Sequence, residues 1–312
     1  MSDISKESST DEKYAGRVRQ SSIYLGKFLR IFMAEKQWAM IIMAGIIAFL
    51  VSTVVGRNMF ITMEGTLLGA FAISCVCIWN GIFNSIQVVC KERAIIKREH
   101  RSGLSIFSYL SAHVGIQFTL CVIQALVTIV IMSLSGINFP ATGLLGIPFV
   151  IDYAITLVLI TFASDMLGLM VSCMVKTTTM AMTVMPFVLI VQLLFSGAAF
   201  PLSGTMAKFS DFTIAKWGID CICIDSNYNT YKTYSIYNQL YKIGKTEPMV
   251  KKALDLIGKD KITEYASQHA QNAAYSYDLS KLLHAWLMLG IFIVVCGVVG
   301  LIFLEFVDKD KR

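Results

Sequence analysis

Long apolar runs broken by short polar interruptions set the pattern of this chain. Residues 65–89 contain no Asp, Glu, Lys or Arg, and neither do residues 102–151. A helix needs roughly 20 apolar residues to cross a hydrocarbon layer about 30 Å thick. Six stretches reach that length: residues 37–56, 65–89, near 111–135, near 149–175, about 178–200, and 282–304. The longest charge-free run divides at Gly136, Pro140, Gly143, Gly146 and Pro148, where turn chemistry separates the third stretch from the fourth. In lipid a helix satisfies its own backbone groups, whereas a sheet with open edges does not. The pattern predicts an all-α polytopic membrane protein with six transmembrane helices.

Ahead of the first span, Leu25, Phe28, Leu29, Phe32 and Met33 recur at helical spacing, while Lys27 and Arg30 fall off that stripe. This predicts an amphipathic helix over residues 15–36, lying along the membrane surface or docked into a partner's groove. Residues 1–14 read as a disordered cytoplasmic tail. They lack the apolar core of a signal peptide, so the first span is expected to act as an uncleaved anchor. Spans one to five occupy residues 37–201. Residues 202–281 read as a mostly helical extracytoplasmic loop domain, with Val250, Leu254 and Ile257 at helical spacing. The sixth span, 282–304, leads to a cytoplasmic tail, 305–312.

Composition agrees: 55% of residues are hydrophobic and 15% charged, against about 25% charged in soluble domains. Mean hydropathy is +0.64. Lys and Arg in short loops set orientation. Seven precede the first span, five lie between the second and third, and Lys309, Lys311 and Arg312 close the chain. The first outer loop carries Arg57 alone, so both termini are expected on the cytoplasmic side. The ten lysines of residues 202–281 do not disturb this, because segments longer than about 60 residues largely escape the rule. Six of the eight cysteines sit in or beside spans and read as small packing residues.

One polar interruption is unusually dense. From Lys91 to Arg101, eight of eleven residues ionise. Topology and attraction to anionic lipid account for the basic ones, but not for Glu92 and Glu99. Mixed charge beside Ile95, Ile96 and Leu104 suits a helix docking on protein, where apolar anchors bind and charges set register.

The spacing of "ERAIIKREHRSG" resembles the segment between the second and third spans of the G subfamily of ABC transporters, roughly E-R-x-V-F-x-R-E-x-x-x-G followed by Tyr. Glu92, Arg93, Arg98, Glu99 and Gly103 take the matching positions, and Ile95 and Ile96 replace the usual apolar pair. Ser105 stands where the family commonly has Tyr, so the motif's tail is expected to pack differently. The resemblance extends to the amphipathic "connecting" helix, the six spans, "QLLFSGAAFPLSG" at the end of the fifth, and a long external loop before the last. It implies a dimeric exporter permease in which this segment receives force from an ATP-binding subunit. It also places substrate contacts on the second and fifth spans.

No ATPase is expected in this sequence. The partial match "YKIGKT" lacks the first Gly of G-x-x-x-x-G-K-[ST] and a preceding apolar strand, and no signature motif follows the "LSG" triplets. ATP and magnesium are therefore expected in a separate chain or in a domain outside this sequence, with no cofactor on this chain. Expected partners are that ATP-binding cassette subunit, a second permease subunit identical or different, and the lipid bilayer; no nucleic acid is expected. Candidate cavity residues are Trp79, Asn80 and Phe83 of the second span, Asp165 of the fourth, and Gln192 and Phe195 of the fifth. Asp165 reads either as a cavity-lining or relay group, or as a structural partner of Gln117, Gln124 or Gln192. Met166, Met170 and Met174 form a stripe that suits either apolar ligands or helix packing. No nucleophile and base, and no metal spacing, marks an enzyme. A secondary transporter or channel using Asp165 stays open, as does a non-transporting assembly protein acting through residues 202–281.

Overall fold

The structure, a computed structural model, describes residues 16–198 and 204–306. The expected tail at 1–14 lies outside that range, as does the expected tail at 305–312 from residue 307 onward, while Glu305 still belongs to the last helix. The described residues are mostly helical, with no strand beyond two isolated bridges. In chain order the helices are α1 (Arg17–Ala34), α2 (Ala39–Val55), α3 (Met63–Ser85), α4 (Val88–Arg101), α5 (Ile106–Leu134), α6 (Phe149–Met174) and α7 (Thr178–Leu194). After these come α8 (Thr205–Ser210), α9 (Ile214–Asp225), α10 (Ser235–Gly244), α11 (Pro248–Ile257), α12 (Lys259–His269) and α13 (Leu279–Glu305). Several starts are fixed by side-chain caps. Thr62 accepts from the Gly65 amide, Thr177 from Met180 and Asp278 from Ser280, each relieving an unpaired first-turn donor.

Five segments are long and apolar enough to cross a membrane: α2 with the turn after it, the run from α3 into α4, α5, α6 and α13. The sixth apolar helix, α7, is shorter. Its 17 residues rise about 25 Å at 1.5 Å per residue. The expected fifth span ran to residue 200, but the helix stops at Leu194 and Gly197 then turns the chain at φ +78°. Residues 199 and 200 lie outside the described range.

α3 and α6 form the centre of the bundle and bury most of their surface, while α2 and α13 lie at its margin. Large apolar side chains such as Phe49, Leu126, Phe187 and Val294 point outward. In water such a surface would be an aggregation hazard; in a bilayer it is the solvated face. With lipid outside, burial alone does not hold the helices together, so close packing of small residues matters. At Gly81 a Cβ would run into the Thr161 carbonyl of α6, and at Gly168 it would meet Ser85 and the Ile82 backbone of α3. The methionine stripe divides: the Met166 side chain meets Gly297 and the Met170 backbone meets Gly300 of α13, while Met174 is exposed.

α9 departs from what sequence position suggested. Residues 202–281 read as one loop domain, yet nearly every residue of α9 is buried and the helix is wedged among α3, α6 and α13. Gly218 lets it approach Ile160 and Ser74 closely. Cys221 and Cys223 are fully buried there as free thiols. The rest of the segment, α10–α12, sits apart and is tied back by Glu64. That carboxylate accepts from the Thr233 hydroxyl and, at 2.9 Å, from the Ser235 amide.

Candidate coupling element and groove

The dense charge cluster forms α4, and most of its motif residues face inward. The first-turn amides of Val89 and Cys90 donate to Ser172 Oγ on α6, at 3.1 and 3.2 Å, which satisfies two donors that a helix start leaves unpaired. Ile96 is fully buried. Glu92 Oε2 accepts from the Tyr109 hydroxyl at 2.9 Å and lies 4.0 Å from His113 Nε2. Arg93 Nη1 donates to the carbonyls of Cys173 and Val175, at 2.9 and 3.0 Å. It thereby closes the carbonyl end of α6, where the helix dipole favours a cation.

A second set of bonds joins α4 to α1. Glu99 Oε2 accepts from the Tyr24 hydroxyl at 2.8 Å, and Glu99 Oε1 lies 3.5 Å from Lys27 Nζ. Burial and the neighbouring Glu99 push the Tyr24 phenol above its ordinary range and keep it a donor. Lys91 pairs with Glu35 at 2.8 Å, and that bond holds the Glu35 carboxyl below its usual value. Phe28 stacks on His113 at 3.7 Å and meets Tyr109 edge-on.

The helix ends in a Schellman turn. The Leu104 amide reaches back to the Glu99 carbonyl and the Gly103 amide to the His100 carbonyl. Gly103 sits at φ +98°, where a side chain is strained, which explains glycine here. Ser105 donates its amide to Gln20 Oε1 of α1. An aromatic instead enters one turn later as Tyr109. What remains outward is a narrow face that includes Ile95, 41% exposed, and Arg98.

Above α4 a groove of about 330 Å³ opens between α2, α3 and α5. It is lined by Met40, Met43 and Ile47 on one side and by Trp79, Asn80 and Phe83 on the other. Trp79 and Phe83 stack with centroids 5.7 Å apart. Asn84 and Gln124 close the groove and exchange two hydrogen bonds. A second lobe of about 320 Å³ shares Met40, Phe83 and Asn84 and continues to Glu35, Lys91 and Glu92. The groove thus grades from apolar to charged.

Of the six candidate cavity residues, this groove brings together Trp79, Asn80 and Phe83. Asp165 lies elsewhere, with no exposed surface, in the α3–α6 contact, where Ser85 Oγ donates to its backbone carbonyl at 2.6 Å. None of the three glutamines is hydrogen-bonded to it. Gln117 donates to the Asn84 carbonyl, Gln124 pairs with the Asn84 side chain, and Gln192 Oε1 accepts from the Ile214 amide at 2.8 Å. Gln192 thus caps the start of α9. Phe195, whose carbonyl accepts from Thr213, belongs to the same junction.

Tyr24, Tyr109, Ser172 and Asn84 were not legible as site residues. Each acts across elements far apart in sequence, and no local spacing reports that. Among the described residues, no group of three or more His, Cys, Asp or Glu could hold a metal ion.

Residues 19–223 match the model of the ABC-2 type transporter family, about two thirds of the chain. The chain belongs to that family. α1 through nearly all of α9 lies inside the match, so the ABC-2 region includes α4, both lobes of the groove and the buried α9. The chain is accordingly a multi-pass membrane protein of this family. It is also similar to the ABC transporter ATP-binding/permease protein Rv1747 of Mycobacterium tuberculosis, at 33% identity over 148 residues. That match covers 45% of this chain and 16% of the relative's length.

Proposed function

We propose that this ABC-2 permease works as a dimer driven by an ATP-binding unit that seats on the exposed face of α4. The observation that carries the reading is the division of the motif. Glu92, Arg93, Ile96 and Glu99 fasten α4 to α1, α5 and α6, while Ile95 and Arg98 stay exposed. A push on that outward face is passed to three helices at once, because the inward bonds tie α4 to α1, α5 and α6. The mycobacterial relative carries both functions in its name, which supports an ATP-binding partner here, on a separate chain or in a further domain. ATP and magnesium belong to that partner.

In this reading both termini and α4 are cytoplasmic, and α10–α12 lie outside. The solute is apolar or amphipathic and leaves outward. Its contacts begin at Met40, Trp79, Asn80 and Phe83, which combine aromatic surface, a flexible thioether and an amide. Asp165 is sealed between α3 and α6, away from both lobes, so ion-coupled transport through it finds no support in the geometry.

Co-purification tests the proposal. An ATP-binding subunit is expected to accompany the wild-type protein and to be lost from an Ile95→Asp/Arg98→Glu variant, with membrane insertion and thermal stability retained. Equal recovery of the ATPase with both proteins, and equal transport, would sink the coupling role of this face.

A further inference from the structure

At the end of the bundle opposite α4, two carboxyl groups meet in a site that the transport reading does not use. Asp152 stands in the first turn of α6 and Asp225 is the last residue of α9; they are 0% and 2% exposed. Each is held by one of two consecutive amides in the connecting loop. Leu144 N–H donates to Asp225 Oδ1 at 3.0 Å, and Leu145 N–H donates to Asp152 Oδ2 at 3.2 Å. Gly143 is small because the Asp152 carboxylate presses on it; a Cβ there would overlap Oδ2. The remaining oxygens, Asp152 Oδ1 and Asp225 Oδ2, are buried and have no hydrogen-bond partner. Held by adjacent amides, the two carboxyl groups are neighbours.

Two ionised carboxylates facing each other in a buried site repel strongly, and one positive particle between them relieves that. Both outer oxygens already accept from amides, which leaves a single oxygen on each side. A divalent ion bound by so few carboxylate oxygens keeps several waters as ligands, for which a site with almost no exposed surface leaves little room; a proton needs only two oxygens. We propose that Asp152 and Asp225 share one proton, forming an acid latch that clips the end of α9 and the residue 143–146 loop to the start of α6.

The other titratable groups facing Asp225 are Cys221 of its own helix and the phenols of Tyr231 and Tyr277, none of them a cation. Burial is the largest influence on Asp225 and raises it from 3.8 to about 7, with Asp152 adding to the rise. A carboxyl raised by folding stabilises the fold fully below its ordinary value. That contribution is lost as pH rises through the raised one. The latch is therefore closed in acid and loosens above about pH 7. Because α9 is wedged among α3, α6 and α13, loosening its end frees a helix that touches the core of the bundle.

Asp225→Asn mimics the protonated partner. Its amide donates to Asp152, its carbonyl still accepts from Leu144, and it does not titrate. The full chain, purified in detergent or nanodiscs, is unfolded thermally on either side of pH 7. The wild-type midpoint is expected to fall on the alkaline side, while the Asp225→Asn midpoint is expected to stay level. The infrared difference spectrum between mild acid and alkali should show a protonated-carboxyl component in the wild type that the variant lacks, while other buried acids such as Asp220 contribute equally to both. Asp152→Asn, the mirror change, should level the profile as well and stands in if the first variant does not fold. Parallel pH profiles in wild type and variants would overturn the latch. So would calcium or magnesium restoring the alkaline wild-type midpoint, which would make this a cation site instead.

Discussion

The carboxamides of Asn84 on α3 and Gln124 on α5 exchange two hydrogen bonds, of 2.8 and 3.0 Å, with almost no solvent on either. Such a reciprocal pair fixes how α3 and α5 meet at the inner wall of the groove. Interhelical hydrogen bonds in membrane proteins are worth about 0.6 kcal/mol on average. Leaving one amide buried and unpaired costs more, about 1–3 kcal/mol. Asn84→Leu and Gln124→Leu should therefore each destabilise more than the pair is worth. The double variant should recover part of the loss, as a double-mutant cycle of thermal midpoints would show. Strict additivity would mean that the two amides do not depend on each other.

The inward bonds of α4 predict a separation of effects. Tyr109→Phe removes the donor to Glu92 and should cost about 1.5–3 kcal/mol, the range for a hydrogen bond to a charged group. Tyr24→Phe, at a more exposed bond to Glu99, should cost less. Arg98→Glu changes an exposed position and should move stability by no more than about 0.5 kcal/mol. Unfolding midpoints of the three variants rank these effects. A large loss with Arg98→Glu would show that its guanidinium serves the fold.

Gly103→Ala places a Cβ at φ +98°, in the left-handed region. The expected penalty is about 1 kcal/mol or more. It falls on the Schellman turn that directs the chain from α4 into α5. Gly103→Asn, a residue that tolerates this region, should lose less. If alanine and asparagine behave alike, backbone strain is not what glycine relieves here.

Close approach of α3 and α6 can be tested with bulk. Gly81→Leu and Gly168→Leu drive a side chain into the facing backbone and should abolish recovery of folded protein. Gly290→Leu on α13 is the control, because nothing lies within 4 Å of a Cβ there. Gel-filtration profiles of the detergent-solubilised proteins separate the cases. A well-folded Gly81→Leu variant would contradict the packing.

Trp79 and Phe83 stack in the groove with Trp79 44% exposed. Their removal should change what the protein handles more than how stable it is. Trp79→Ala is expected to shift apparent affinity for apolar solutes, with midpoint changes well below those of the Asn84 or Tyr109 variants. A change confined to stability would return Trp79 to a packing role.

The sequence by itself determined the solvent and the helices. Charge-free lengths of about 20 residues report a bilayer because hydrocarbon thickness sets them, and the caps at Thr62, Thr177 and Asp278 lie beside the residues they serve. The "ERAIIKREHRSG" spacing carried the family, since a docking helix keeps its charges at fixed local intervals. Only the tertiary structure decided which of those charges face inward. Glu92 meets Tyr109, Glu99 meets Tyr24, and Arg93 meets the end of α6, all across separations that no periodicity encodes. It also divided the candidate cavity residues, leaving Trp79, Asn80 and Phe83 in one groove, Asp165 in the α3–α6 contact, and Gln192 at the start of α9. In a bundle whose helices are apolar on every side, hydropathy does not say which face meets protein and which meets lipid. Small residues such as Gly81 and Gly168, and paired polar groups such as Asn84 and Gln124, make that choice when the helices come together.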